Sequence, residues 1–195
     1  MSKRIAIIQG HPDADPARYG NALASAYARG AEEAGHGIKV IQVAALDFPL
    51  LRSLHNWQDG TPCEAIREAQ ASVAWADHLV ILFPLWLGDM PALLKGFLEQ
   101  LLRPGFAFTK AVPGRPWKKL LKGKSARLVV TMGMPALFYR VFYRAHSVKS
   151  LQRNILAFCG VGPVRVTLIG MIEAAKEKAR GAWLDKISAL GRDAL

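Results

Sequence analysis

The residues best suited to chemistry lie in a short connection, Pro84-Leu85-Trp86-Leu87-Gly88. Surface connections usually carry polar residues, and this one carries three bulky apolar side chains. A flat apolar loop suits a planar aromatic ligand, and the adjacent glycine lets backbone approach it closely. Core packing is the plainer role for a lone tryptophan, and both roles stay open on the residues alone. A second stretch, Gly10 to Gly20, leads into a helix, whose free amides and dipole attract a phosphate. Arg18 would add positive charge there, unless it is simply a surface side chain. The stretch lacks both G-x-G-x-x-G and the P-loop Lys-Ser/Thr, so neither of those phosphate motifs applies. Cys63 and Cys159 are isolated thiols without metal-ligand or redox spacing, and no metal is expected.

The elements that must position these loops can be read from periodicity. Leu79 to Phe83 is an unbroken apolar run of strand length, as in a parallel sheet buried on both faces. Pro84 stops it. Asp89 is placed to cap the next helix, with Pro91 in its first turn and Leu93, Leu94, Phe97, Leu98, Leu101 and Leu102 forming its apolar face. Arg103-Pro104-Gly105 ends that helix. Further strands are expected at Arg4 to Gln9, Ile38 to Val43, Ala126 to Met132 and Val164 to Ile169. Helices are expected at Ala17 to Gly35, Pro62 to Trp75, Ser147 to Phe158 and Glu173 to Leu190. Asp47 to Pro62 reads as irregular, Ala111 to Lys124 as a basic loop and Gly133 to Ala145 as an aromatic-rich loop. Five strands alternating with helices predict a doubly wound α/β parallel sheet of order 2-1-3-4-5, which sends the loops after strands 1, 3 and 4 to one end.

Length and composition narrow the class. A chain of 195 residues, half of them hydrophobic, is expected to form one domain over 1–195 with a sizeable core. The longest apolar stretch, around 80 to 87, is broken by Pro84 and falls short of the ~18 residues a membrane span needs. Ile5 to Ile8 is too short for a signal-peptide core, so the expected location is cytoplasmic. The formal charge of +11 includes five basic residues from Arg115 to Lys124, followed by Arg140, Arg144, Lys149 and Arg153. A solvated basic surface accounts for it. So would an acidic partner: dinucleotide phosphates, anionic lipid or nucleic acid. The chain has no zinc-finger spacing and no RNA-recognition signature, and no nucleic-acid partner is expected.

Phe83-Pro84-Leu85-Trp86, with Gly88, Met90-Pro91-Ala92, Leu94-Lys95-Gly96 and Arg103-Pro104-Gly105-Phe106-Ala107-Phe108, resembles the flavodoxin-like NAD(P)H:quinone oxidoreductases of the DT-diaphorase group. The resemblance runs from the first strand to about residue 170. It implies FAD, with FMN as the alternative, lying along Pro84, Leu85, Trp86 and Leu87. It implies that the first loop holds the flavin phosphates, with His11 and Tyr19 matching the family pattern. Arg18 and Gly20 depart from it. In the loop after strand 4, Thr131 and Gly133 match, while Met132 and Met134 do not. Tyr139 falls on the family's active-site tyrosine, and His146 stands one position beyond its histidine. Without the family, Tyr139 reads as one more core aromatic and His146 as a helix-start or surface histidine. Phe108 and Phe138 are assigned to the acceptor pocket, and a homodimer is implied because Phe108's counterpart often walls the partner's pocket.

The implied activity is two-electron, ping-pong reduction of a quinone-like acceptor by NADPH or NADH. Tyr139 and His146 would steady negative charge at the flavin's pyrimidine edge. Two alternatives share the fold: an electron-carrier flavodoxin, typically acidic where this chain is basic, and a flavin-binding regulatory subunit of a membrane transport system. The basic surface would suit that subunit, or a peripheral contact with an anionic surface.

Overall fold

The computed structural model describes residues 2–110, 114 and 116–195. Its centre is a parallel sheet of five strands: β1 (Arg4–Gln9), β2 (Gly37–Gln42), β3 (His78–Pro84), β4 (Ser125–Thr131) and β5 (Val164–Ile169). The order is β2-β1-β3-β4-β5, as the strand–helix alternation predicts. Strand order reverses between β1 and β3, which pair from Ile5 with His78 to Gln9 with Leu82. A crevice therefore forms at their carboxyl ends, between loops that leave in opposite directions.

Alternation along the strands divides the core into two layers. Ile5, Ile7, Val80, Leu82 and Val129 face α1 (Tyr19–Glu33) and the closing helix (Glu177–Arg192). Ala6, Ile8, Leu79, Ile81, Leu128 and Val130 face the opposite layer. That layer holds α3 (Glu64–Trp75), α4 (Ala92–Leu101) and the helical stretch 146–159. Burying each branched or aromatic side chain contributes roughly 1.5–3 kcal/mol, so the runs that predict strands also supply the driving force. α1 and the closing helix pack backbone to backbone. A Cβ on Gly30 would meet the Ser188 carbonyl oxygen at 2.0 Å, and one on Gly191 the Tyr27 oxygen at 2.2 Å.

Several local expectations need correction. Asp89 does not cap α4. The N-cap position belongs to Pro91, and the Asp89 carboxylate accepts instead from the Met90 amide at 2.7 Å. Asp47 to Pro62 contains a short helix, α2 (Leu54–Gln58), started by Ser53, whose hydroxyl accepts from the Asn56 amide at 3.0 Å. The aromatic stretch read as loop contains α5 (Ala136–Val141), entered through Pro135. It hides from a search for an inward apolar face because Tyr139 is its one buried residue and its outer face is apolar too. The next helix begins at His146, as α6 (His146–Ser150), passes through a π-helical stretch (Leu151–Leu156) and ends with α7 (Ala157–Cys159). The closing helix, α8, starts at Glu177, four residues later than the periodicity suggests.

Part of the basic loop is structural. Ala111, Val112, Pro113 and Arg115 lie outside the described residues. Beyond them, the Lys124 ammonium donates to the Ala74 carbonyl at 2.8 Å and also to that of Ala76, at the end of α3. Lys119 donates to the Ala157 carbonyl at 2.7 Å. Both cations sit where helix dipoles favour positive charge.

Candidate active site

The loop after β3 is a tight hairpin. Trp86 and Asp89 exchange both backbone hydrogen bonds, at 2.8 and 2.9 Å. Leu87 (φ 47°) and Gly88 (φ 80°) occupy its two central positions in the left-handed region, the arrangement of a type I′ turn. Glycine takes that conformation freely, whereas leucine pays about 1–2 kcal/mol. The turn therefore presents Leu87 fully to solvent, at 108% relative exposure, with Trp86 half exposed beside it. The Leu85 amide is bound to the Thr131 carbonyl at 2.7 Å and the Trp86 amide to Asp89. Among the described residues, the Leu87 and Gly88 amides have no acceptor in the protein.

The loop after β1 closes against this hairpin. The His11 ring meets Trp86 edge to face, with centroids 5.8 Å apart. Its Nδ1 accepts from the Asp13 amide at 3.0 Å. Burial lowers its pKa, the main influence on it, so the neutral ring carries its proton on Nε2. Gln9, buried at the strand end, accepts from the His11 amide at 2.6 Å and donates to Asn21 at 2.9 Å. Asn21 in turn donates to the Asp15 carbonyl at 2.9 Å. Gln9 and Asn21 thus shape the loop and were missed by motif reading, although a polar residue ending an apolar strand was a visible signal.

Arg18 is not free in this loop. Its guanidinium pairs with Asp13 at 2.5 Å and lies 3.7 Å from Asp15. The two carboxylates also accept from the Asp15 and Ala17 amides, each at 2.9 Å. The loop's own acids therefore hold the arginine and the amides that a phosphate would seek. α1 keeps an open N-terminus, with no side chain capping it. Tyr19 turns toward α8: its hydroxyl donates to the Arg180 carbonyl at 2.7 Å, and the Arg180 guanidinium lies 5.7 Å from its ring centroid.

The third loop carries Gly133 and Met134, whose amides also lack a protein acceptor among the described residues. Thr131 ends β4 and binds the β3 loop through its carbonyl. Tyr139, 1% exposed, faces inward, and its hydroxyl sits 3.4 Å from the Val148 amide that donates to it. Burial raises its pKa, with the nearby Asp89 carboxylate acting in the same direction. Asp89 also accepts a hydrogen bond from the Ser147 hydroxyl, which ties the β3 hairpin to α6. His146 opens α6 and lines an open cleft of about 720 Å³ with Leu87, Gly88, Asp89, Arg144 and Ser147. Arg144 and Ala145 hold left-handed backbone just before it, strain of a kind concentrated at functional sites.

The structure thus brings His11 to Trp86, and His146 to Leu87, with Tyr139 buried beside Ser147. It leaves Phe108 elsewhere. Phe108 packs on Trp57 and Phe158 and lines a separate recess of about 390 Å³ that also includes Trp117. Phe138 lies at the surface, stacked on Phe142 with centroids 5.0 Å apart.

The flavodoxin-like fold family matches residues 3–190, and the chain belongs to that family. It is 30% identical over 183 residues to an uncharacterized NAD(P)H oxidoreductase of Haemophilus influenzae, covering 92% of this chain and 89% of that one. It is 32% identical over 136 residues to the human ribosyldihydronicotinamide dehydrogenase [quinone]; the match covers 66% of this chain and 58% of the human protein. Among solved structures, an NAD(P)H:quinone oxidoreductase from Methanothermobacter marburgensis shares the fold with a TM-score of 0.81 at 23% identity, covering 100% and 98% of the two chains. The resemblance to NAD(P)H:quinone oxidoreductases, read from the first strand to about residue 170, is borne out by the family match and by the Haemophilus and human relatives. No described helix is long and apolar enough to cross a membrane.

Proposed function

We propose that this chain is a single flavin-binding domain acting as an NAD(P)H oxidoreductase, which reduces quinones or similarly electron-poor acceptors by two electrons. The observation that carries the reading is the hairpin at Trp86 and Leu87, braced by His11 and opening onto the cleft that holds His146. A flavin fits the groups present. Its ring would lie on Trp86 and Leu87, and its pyrimidine edge would accept from amides without protein partners, those of Leu87, Gly88, Gly133 and Met134. Its phosphate end would meet the open N-terminus of α1. There Arg18 would exchange an aspartate for the phosphate, which favours a compact anion and leaves FAD or FMN to be decided by extraction.

When bound, the flavin supplies the hydride chemistry, accepting from the nicotinamide and giving to the acceptor. The chain's own residues orient, exclude water and manage charge. Trp86 and Leu87 would hold the flavin ring, and the adjoining cleft offers one site that donor and acceptor would occupy in turn, for which ping-pong kinetics are the expected signature. His146, at the cleft wall, offers a proton donor where negative charge develops. The buried Tyr139 hydroxyl keeps its proton and backs the Ser147–Asp89 contact behind that wall. Arg144, Lys149 and Arg153, all lining the cleft, suit the phosphates of NADPH or NADH.

Phe108, which lines a recess other than the cleft within one chain, supports the reading that it completes the partner's pocket in a homodimer. An NAD(P)H-consuming role supports a cytoplasmic location, where that donor is held. The test is steady-state oxidation of NADPH and NADH with a water-soluble quinone. Parallel double-reciprocal plots are expected. A protein that binds flavin yet never consumes either donor would be a carrier or a regulatory subunit instead.

A further inference from the structure

The face of α5 turned away from the sheet is apolar. Leu137, Phe138, Val141, Phe142 and Tyr143 are all exposed, with Val141 and Phe142 each 68% accessible. Phe138 and Phe142 stack on each other and meet Tyr143 edge on, which makes one contiguous aromatic surface. Soluble proteins seldom leave so dense a patch to water without a partner. Arg140, Arg144, Lys149 and Arg153, also exposed, lie within and just beyond it.

The charge around this patch is one-sided. Residues 100–172 contain thirteen Lys and Arg and not one Asp or Glu. The other thirteen basic residues are outnumbered by the fifteen acidic ones, so the chain's whole positive excess arises in that segment. Lys119 and Lys124 are partly spent on helix ends. In the described side-chain ion pairs, the four cations around α5 have no acidic partner.

We propose that the α5 face docks on an anionic lipid surface, with its aromatic side chains entering the headgroup layer, Arg140 meeting lipid phosphates, and the cleft cations Arg144, Lys149 and Arg153 adding only long-range attraction to the surface. Aromatic residues on one side and basic residues beside them are what an interfacial helix presents to an anionic membrane. A second copy of the chain is the poorer occupant. A two-fold interface sets a patch against itself, and here that would bring like charges together with no acid to relieve them.

The position of the face gives docking a purpose, one that rests on the proposed quinone reduction. α5 runs directly into Arg144 and His146 at the cleft wall, and Lys149 lines both that cleft and the groove under α5. Docking through α5 would bring the cleft mouth to the bilayer surface, where quinones with apolar tails reside.

The experiment is flotation of the purified full-length protein with phosphatidylcholine vesicles, with and without phosphatidylglycerol. Binding is expected only with phosphatidylglycerol, and high salt should reduce it. Arg140→Glu should weaken partitioning by about tenfold or more, and the Val141→Ser/Phe142→Ser pair should weaken it comparably. A Lys178→Glu control, on α8, should leave it unchanged. Soluble-quinone activity should be retained by all of these variants. Failure to float with anionic vesicles, or equal flotation of the wild type and the α5 variants, would overturn the proposal. So would loss of a dimer, seen by sedimentation, on serine substitution without loss of vesicle binding. Flotation needs no turnover, so vesicle binding without quinone reduction would count against the enzymatic reading alone.

Discussion

His11 and Trp86 meet edge to face, their ring centroids 5.8 Å apart and their planes 79° from parallel. The contact joins the loops after β1 and β3 across the point where strand order reverses. It braces a tryptophan that its own hairpin leaves half exposed, so the surface that the proposed flavin would meet is set in advance.

His11→Ala should therefore cost flavin affinity without unfolding the protein. An edge-to-face aromatic pair is worth about 0.5–1.5 kcal/mol, so the flavin dissociation constant should rise several-fold in a fluorescence titration. An unchanged constant would mean that Trp86 needs no brace.

The pairing of Arg18 with Asp13 and Asp15 predicts competition. Asp13→Asn should release the guanidinium and one local negative charge, and flavin phosphate binding should tighten by about tenfold, the order of one charge-assisted contact. Weaker binding in that variant would show that Asp13 builds the phosphate site rather than occupying it.

Tyr139→Phe removes the group that accepts from the Val148 amide. Leaving a buried amide short of its partner should cost about 1–2 kcal/mol in urea unfolding. Flavin should remain bound, and its reduction by NAD(P)H should slow in stopped-flow traces. Unchanged hydride-transfer kinetics would remove Tyr139 from the chemistry and leave it a packing role.

His78 gives the fold a pH dependence away from the site. Buried at the start of β3, it contacts the Ser125 hydroxyl at 2.7 Å, and burial pushes its pKa down to about 4. The unfolded chain then binds more protons than the folded one between pH 4 and about 6.5. Stability should be full above that window and fall by on the order of 3 kcal/mol as pH drops through it. The Asp77 contribution, with its pKa held at about 2 by Arg4, is lost only below about pH 4. His78→Asn should flatten the unfolding midpoint across the upper window. A slope unchanged in that variant would place the titration elsewhere.

What the sequence disclosed follows from how local each signal is. Leu79 to Phe83 reads as a buried strand because both its faces are apolar, and Val164–Ile169 is found to the residue. With the strand–helix alternation, that suffices for the sheet order and for the end at which the loops gather. Contacts between distant loops leave no such trace. Nothing near Asp89 announces Ser147, and Asp89 resembles a helix cap because the true cap position is filled by Pro91. α5 escaped for the opposite reason: its apolar residues point outward, so they follow no core-facing stripe. Arg18 was legible as a charge near a helix start, but its capture by Asp13 depends on the turn that Gln9 and Asn21 impose.

In the proposed function a flavin would lie on the Trp86 hairpin and exchange hydride there. The most direct test is the absorption spectrum of the purified protein under anaerobic conditions, before and after NAD(P)H, followed by chromatography of whatever heat releases. A yellow protein that NAD(P)H bleaches, that regains colour on adding a quinone, and that releases FAD or FMN is the predicted result. A protein that stays colourless after incubation with both flavins would contradict the account.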